Sequence, residues 1–143
     1  ERTWLDENGK VIQVSDLEQG ETIWGYFKVK RNSKTSKKPL EELALTQIIP
    51  SGWEVNNTRL SDEVLPSWTK QFELGEEEYL DIRDDRVSWF FDLKYNKKEM
   101  EFLVKLSVVS TGKYLLAPTL AEAMYDHAYK SIIPAEKVTV TKP

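Results

Sequence analysis

The sequence predicts an all-β protein, a two-sheet antiparallel β-sandwich with seven to nine strands. Three observations favour this class: apolar and polar side chains alternate over several short segments, turn-forming residues recur between those segments, and no convincing long helix interrupts them. A chain of 143 residues is long enough to bury one hydrophobic core. We therefore expect a single sandwich domain over residues 1–143.

The N-terminal part of the chain predicts two short strands and one longer strand. Residues 3–5 and 11–14 flank Asn8-Gly9, a pair that adopts the positive backbone angles of a tight hairpin turn. After a second turn at Gln19-Gly20, residues 22–30 alternate with apolar side chains on both faces. This strand is therefore expected to be covered on both sides.

The next third of the chain predicts a strand, a short continuation and a long connection. Residues 43–49 form an apolar run that stops at Pro50-Ser51-Gly52, because proline donates no ladder hydrogen bond and glycine favours the turn. Residues 53–55 continue beyond this turn. Residues 61–74 lack a clear period, so we expect a connection with one helical turn at 61–63.

The clearest alternation lies in the centre of the chain. From Arg86 to Leu93 every second side chain is large and apolar, and the same pattern runs from Met100 to Val108. The polar stretch Asn96-Lys97-Lys98 lies between the two runs. We expect these residues to form a central antiparallel hairpin with one buried face.

The C-terminal part predicts two more strands and one helical turn. Thr111-Gly112 ends the preceding strand, and residues 114–116 make a short new strand that stops at Ala117-Pro118. We expect one helical turn within residues 119–125. Residues 138–141 are rich in β-branched side chains and predict the closing strand.

The charge of the chain disfavours a nucleic-acid partner, because phosphate neutralisation requires a basic face and the formal net charge is −4. One segment, residues 28–38, carries six basic residues and no acidic one. It contains no aromatic side chain on which a base could stack, so a solvated loop is the expected structure. No run of about 18 apolar residues is present, which argues against direct membrane insertion.

The sequence offers no catalytic or metal-binding constellation. His127 is the only histidine, cysteine is absent, and no phosphate-binding glycine motif occurs, so we expect no metal and no cofactor. We expect His127 to be an ordinary loop histidine. Glu76-Glu77-Glu78 and Asp84-Asp85 could supply paired carboxylates, but an edge-protecting run and a charged turn before Val87 are the expected roles. No catalytic residue is predicted.

The aromatic residues fall into two groups. Trp89, Phe91 and Phe102 follow strand alternation and are expected in the core. A second set has less regular settings, for which internal packing is favoured and partner contact stays open. These residues are Trp4, Trp24, Trp53, Trp68 and Tyr125.

Several blocks, taken in order, resemble the C-terminal macroglobulin-type domain of bacterial α2-macroglobulins, known as MG10. The Pro-Ser-Gly-Trp-Glu turn and the Phe-Phe-Asp-Leu segment are examples, and the likeness covers roughly residues 15 to 130. Thr119 departs from the pattern, since similar domains often have a second proline there. The blocks are residues 45–55, 57–60, 81–87, 90–93, 112–118 and 123–126.

The resemblance implies a macroglobulin or immunoglobulin-like sandwich that belongs to a larger multidomain protein. A chain that begins at Glu1 without an initiator methionine also suggests an excised piece or mature fragment. The implied parent is a periplasmic or cell-envelope protease trap, with a lipid anchor as one form of attachment. The domain would not be an enzyme.

In such a trap, target proteases are engaged by the whole molecule, and this domain would pack beside a thioester-type domain and stabilise the uncleaved state. The resemblance implies that Met124, Tyr125 and Asp126 make this interdomain contact, with the Tyr125 hydroxyl hydrogen-bonded. Tyr125 capping its own core is an equal alternative. A different class stays open as well: a free-standing immunoglobulin-like surface module that binds carbohydrate or a protein partner through exposed aromatic residues.

Overall fold

Twelve β-strands account for most of the described chain, with one 3₁₀ turn at Ser67–Gln71. The computed structural model describes residues 1–31, 40–56, 65–75, 79–93, 99–124 and 126–143. The all-β prediction is confirmed, but the strand number exceeds the predicted seven to nine. The strands are β1 Arg2–Leu5, β2 Leu17–Glu18, β3 Thr22–Lys30, β4 Leu40–Ile48, β5 Trp53–Val55, β6 Tyr79–Arg83, β7 Arg86–Leu93, β8 Glu99–Val108, β9 Gly112–Leu116, β10 Thr119–Ala123, β11 Asp126–Ile133 and β12 Glu136–Thr141.

The strands form three sheets. A four-stranded sheet has the order β1-β3-β8-β5, and a five-stranded sheet has the order β11-β10-β4-β7-β6. A third sheet has the order β2-β12-β9, in which β2 and β12 run parallel. The two larger sheets enclose the main core, so the predicted sandwich is confirmed and is extended by a small third sheet.

Aromatic rings from the two larger sheets meet in the core. Trp89 of β7 stacks on Phe102 of β8 with ring centroids 5.3 Å apart, and Phe27 of β3 lies 5.3 Å from the same indole. All three side chains are almost completely buried. The alternation in these strands therefore predicted the buried faces correctly.

The predicted central hairpin is wrong. Strand β7 pairs with β4 and β6, whereas β8 pairs with β3 and β5, so the two strands belong to different sheets. Their apolar faces oppose each other across the core instead of lying side by side. The predicted turn at 96–98 lies outside the described residues.

Of the two helical turns expected from the sequence, one is contradicted by the structure and the other lies outside the described residues. The expected turn within 119–125 is wrong, because Thr119–Ala123 is strand β10, paired with β4 and β11. Residues 61–63 lie outside the described residues, and the 3₁₀ turn in that connection begins later, at Ser67. The predicted turn at Asn8-Gly9 is confirmed, since Gly9 has φ 79° and the Asp6 N–H donates to the Lys10 carbonyl.

A segment that we call the strap, residues 65–75, covers the outer face of the four-stranded sheet. Phe72 stacks on Tyr26 at a centroid distance of 4.5 Å, and Trp68 packs edge-on against Trp24 at 5.4 Å. The Trp68 Nε1–H donates to the Glu7 carbonyl at 2.8 Å. This cover explains why β3 carries apolar side chains on both faces, as the sequence predicted.

Tyr26 gives the strap a dependence on alkaline pH. Burial, and next the nearby Glu101 carboxylate, raises the pKa of the Tyr26 hydroxyl above its usual value of about 10. An unfolded chain loses this proton first, so the contribution to stability is complete below about pH 10 and declines as the pH rises further. We expect the free energy of unfolding to fall above about pH 10, and to fall less steeply in Tyr26→Phe. Denaturant titrations of both proteins across this range would measure the difference, and parallel curves would contradict the assignment.

One polar cluster, which we call the Arg2 junction, links the three sheets. Arg2 of β1 donates to Thr119 Oγ1 of β10 at 2.9 Å and to Gln47 Oε1 of β4 at 3.1 Å. Its other terminal nitrogen lies 2.9 Å from Glu136 Oε2 of β12. The Thr119 hydroxyl also donates to Gln47, whose amide donates to the Ala117 carbonyl at 2.9 Å. Thr119, the departure from the resembled pattern, is thus a buried member of this junction.

Candidate interdomain surface

The strands β10 and β11 form a hairpin, and the predicted contact residues lie where β10 ends and β11 begins. We call Met124, Tyr125 and Asp126 the hairpin tip. Ala123, the last residue of β10, pairs with Asp126, the first residue of β11. Met124 follows Ala123 and has 51% of its surface exposed. Strand β11 is the edge of the five-stranded sheet, so this hairpin is at the border of the sandwich.

An irregularity in the neighbouring strand β4 lies next to this tip. Leu40 pairs with Leu93 and Leu43 pairs with Phe91, so β4 has one residue more than β7 in the same interval. This is a β-bulge, a feature that bends a strand and changes where nearby groups point. Within it, Glu42 has φ 56°, a left-handed conformation that costs a residue other than glycine roughly 1–2 kcal/mol.

Two hydrogen bonds connect the bulge to the hairpin and to β7. The Glu42 N–H donates to Asp92 Oδ1 at 2.7 Å, and the Met124 N–H donates to the Glu42 carbonyl at 3.0 Å. The main chain of Glu42 therefore donates one hydrogen bond to the Asp92 carboxylate and accepts another from Met124 in the hairpin. We call Asp92, Glu42 and Met124 the hairpin clamp.

The structure describes two of the three predicted contact residues. Met124 is an exposed apolar side chain in a turn directly after β10, and Asp126 is the first residue of β11. Tyr125 lies outside the described residues. Glu42 and Asp92 were not among the contact residues predicted from the sequence. Asp92 lies on the polar side of the alternation in β7, but no sequence signal predicts the bulge that brings Glu42 to it.

The aromatic residues that were left open are mostly internal. Trp4, Trp24 and Trp53 are between 2% and 5% exposed, which confirms internal packing for these three. Trp68 is partly exposed and belongs to the strap. The surface formed by described residues therefore has no cluster of exposed tryptophans.

Of the two acidic segments considered as paired carboxylates, the structure describes Asp84-Asp85, which lies in a turn and forms an ion pair within the domain. Arg86 donates two hydrogen bonds to the Asp85 carboxylate, at 3.0 and 3.2 Å, and this contact lowers the pKa of Asp85. The pair lies at the β6–β7 connection, which confirms the charged turn before Val87. Glu76-Glu77-Glu78 lies outside the described residues. His127 was expected in a loop, but its backbone belongs to β11.

The basic segment 28–38 begins within a strand. Lys28 and Lys30 belong to β3, and Lys28 lies 3.4 Å from Glu99 and 3.9 Å from Glu101. Arg31 is buried, and residues 32–39 lie outside the described residues.

Among the described residues, no group of three His, Cys, Asp or Glu side chains is arranged to hold a metal ion. The same part of the chain contains no helix with the length and hydropathy required to span a bilayer.

Two segments that carried the resemblance contact each other in the fold. The Tyr114 ring occupies the space beside Gly52, where an added Cβ would lie 2.5 Å from the ring. The Gly52 carbonyl accepts hydrogen bonds from the N–H groups of Val109 and Ser110. The Tyr114 hydroxyl donates to the Thr111 carbonyl at 2.8 Å. The Pro-Ser-Gly turn thus packs on the strand that begins at Gly112.

Known proteins share both sequence and fold with this chain. Residues 1–127 match the family model described as the bacterial alpha-2-macroglobulin MG10 domain. An alpha-2-macroglobulin homolog of Yersinia pestis is 25% identical over 147 residues, which cover 92% of this chain and 7% of that protein. An alpha-2-macroglobulin of Xylella fastidiosa is 26% identical over 155 residues, which cover 99% of this chain and 9% of that protein. This chain thus spans less than a tenth of the curated relatives it matches.

The fold likeness extends over the whole chain. A crystal structure of a Salmonella alpha-2-macroglobulin mutant superposes with a TM-score of 0.82 and 22% identity, covering 100% of this chain and 9% of that one. At these identities the comparison establishes the fold alone.

Proposed function

Because the chain belongs to the family of bacterial alpha-2-macroglobulin MG10 domains, we propose that it is a non-catalytic domain of a protease trap. In this proposal it packs against neighbouring domains of its parent, notably a thioester-type domain, and stabilises the uncleaved state. The match of the family model to residues 1–127 is the observation that carries the proposal. Target proteases are engaged by the whole molecule, so the isolated domain neither inhibits nor degrades them.

The hairpin tip is the surface we assign to the interdomain contact. A turn held on a rigid sheet is a common place for partner contacts, because the scaffold fixes its position. Met124 provides an exposed, adaptable apolar side chain of a type enriched at interfaces. We assign the packing contact to Tyr125, with its hydroxyl hydrogen-bonded to the partner domain, and supporting contacts to Met124 and Asp126.

The location of the parent follows from the same proposal. A trap of this family would act in the periplasm or at the cell envelope, and a lipid anchor on the parent is compatible with that place. The alternative of a free-standing surface module needs exposed aromatic side chains. Trp4, Trp24 and Trp53 are buried, so the described aromatics do not favour that alternative.

Substitutions at the hairpin tip in the full-length parent test the proposal. Met124→Ala should leave the melting temperature of the isolated domain nearly unchanged, because exposed side chains contribute little to folding. The assignment of Tyr125 to a contact with the partner domain predicts the same result for Tyr125→Ala. The parent should open sooner, measured as faster reaction with a small amine nucleophile. In a parent without a thioester, faster proteolysis at the domain junction replaces that measurement.

Leu115→Ala is the matched control, since Leu115 is an apolar side chain with 65% exposure in the third sheet. It should leave both the isolated domain and the parent unaffected. The interface role of the tip must be abandoned if Tyr125→Ala unfolds the isolated domain, or if the parent carrying it behaves like the parent carrying Leu115→Ala.

A further inference from the structure

We infer that Asp92 and Glu42 are positioning residues, which hold the hairpin tip in the orientation that its partner domain contacts. This inference rests on the proposed function, because the orientation of the tip matters only if the tip contacts a partner domain. Neither residue needs to touch the partner. Both act through the main-chain N–H of Met124.

The hairpin clamp joins three neighbouring strands in one line. Asp92 belongs to β7, Glu42 to β4 and Met124 lies directly after β10, and consecutive members are joined by hydrogen bonds of 2.7 and 3.0 Å. The acceptor in the first bond is a carboxylate, and charge-assisted hydrogen bonds are stronger than neutral ones. Movement of the tip away from the sheet would therefore break a bond to Glu42, which is itself held by Asp92.

The backbone of Glu42 is an independent sign of this role. It is the only residue other than glycine with a positive φ in the described part of the chain. Such a conformation persists only where surrounding contacts determine it, and it is found at functional positions. Here the contacts that determine it are the two hydrogen bonds of the clamp.

The turn at residues 6–10 shows that a tight turn does not need a distant anchor. There the Asp6 carboxylate accepts hydrogen bonds from the N–H groups of Asn8 and Lys10, so the anchor lies within the turn itself. The hairpin tip is instead fixed by residues far away in sequence, since Glu42 and Asp92 are 50 positions apart. The clamp therefore depends on the folded sheet, and a change in the sheet would reach the tip.

Amide hydrogen exchange of this chain, followed by NMR at Met124 and Glu42, tests the inference directly. Asp92→Ala removes the acceptor and should speed exchange at both amides about tenfold, the change that corresponds to the loss of one hydrogen bond. Asp92→Asn keeps an acceptor oxygen and should retain most of the protection. Asp81→Ala removes a carboxylate that pairs with Arg83 in the same sheet, and should leave both amides unchanged.

Substitutions of Glu42 separate its backbone from its side chain. Asparagine tolerates the left-handed conformation, whereas a β-branched residue strongly disfavours it. Glu42→Asn should therefore keep the protection of Met124, and Glu42→Val should lose it. Equal exchange in these two variants, or unchanged exchange in Asp92→Ala, would overturn the positioning role.

The failure of this inference can be told apart from the failure of the proposed function. Asp92→Ala in the parent should speed the amine reaction or the junction cleavage, as the tip substitutions do, while Asp92→Asn should restore the original rate. If Met124 exchanges faster in Asp92→Ala but Tyr125→Ala leaves the parent unaffected, the clamp exists and the interdomain role of the tip is wrong. If Tyr125→Ala opens the parent but Asp92→Ala does not, the proposed function stands and the positioning role is overturned.

Discussion

Replacing Trp89 with alanine is expected to lower the free energy of unfolding by about 3–5 kcal/mol. Trp89 is 3% exposed and touches aromatic rings from the opposite sheet, so its removal leaves a cavity between the two larger sheets. The rings that line this cavity, Phe27 and Phe102, are held by strands on either side and can close it only in part. Denaturant titration followed by far-ultraviolet circular dichroism measures the loss.

Leu115→Ala is a suitable comparison for Trp89→Ala, because Leu115 lies 65% exposed in the third sheet. This control should shift the unfolding midpoint very little. A loss below about 1 kcal/mol for Trp89→Ala would remove Trp89 from the core and contradict the packing described above.

The second large effect is expected at the Arg2 junction, where Arg2→Met should cost about 3 kcal/mol of stability. The Arg2 side chain is 3% exposed and binds groups from the other two sheets. Methionine fills a similar volume but donates no hydrogen bond, so Gln47 and Thr119 lose a partner in the interior. We place the cost at the low end of the range for a broken buried pair, because Glu136 is 40% exposed and water can solvate it.

Two further variants make the Arg2 experiment specific. Arg83→Met removes a cation that is 68% exposed and pairs with Asp81, so it should change the unfolding midpoint little. Arg2→Lys keeps the charge but loses the planar fork that reaches several acceptors, and should recover only part of the loss. If Arg2→Met is as stable as Arg83→Met, the junction does not stabilise the contact between the sheets.

Alternation in the sequence predicted which faces of β7 and β8 are buried, but not which strand lies beside which. Alternation with a period of two residues indicates that one face of a strand meets the core. Two strands show this same pattern whether they are neighbours in one sheet or lie in opposite sheets. The partners of β7 and β8 are instead set by pairings over long distances in sequence, such as β4 with β7 and β3 with β8. The sequence therefore predicted the core of the sandwich correctly, but wrongly paired β7 with β8 in a hairpin.

Residues 119–125 illustrate the same limit for local structure. Short stretches that contain alanine and leucine are compatible with a helical turn, and their propensity alone does not decide between the two conformations. Strand β10 forms because its main-chain groups pair with β4 on one side and β11 on the other. Tertiary pairing overrode the weak local preference.

The surface proposed for the interdomain contact also depends in part on the sequence and in part on the tertiary structure. The sequence by itself determined the sandwich class and the buried aromatic residues of β7 and β8. A resemblance to a known family selected Met124, Tyr125 and Asp126, whose contact with a partner domain stays a proposal. Only the tertiary structure decided that the Met124 N–H is held by Glu42 and that Glu42 is held by Asp92. A left-handed backbone at a glutamate and a hydrogen bond across 50 positions arise from how strands pair, and neither leaves a local pattern in the order of the residues.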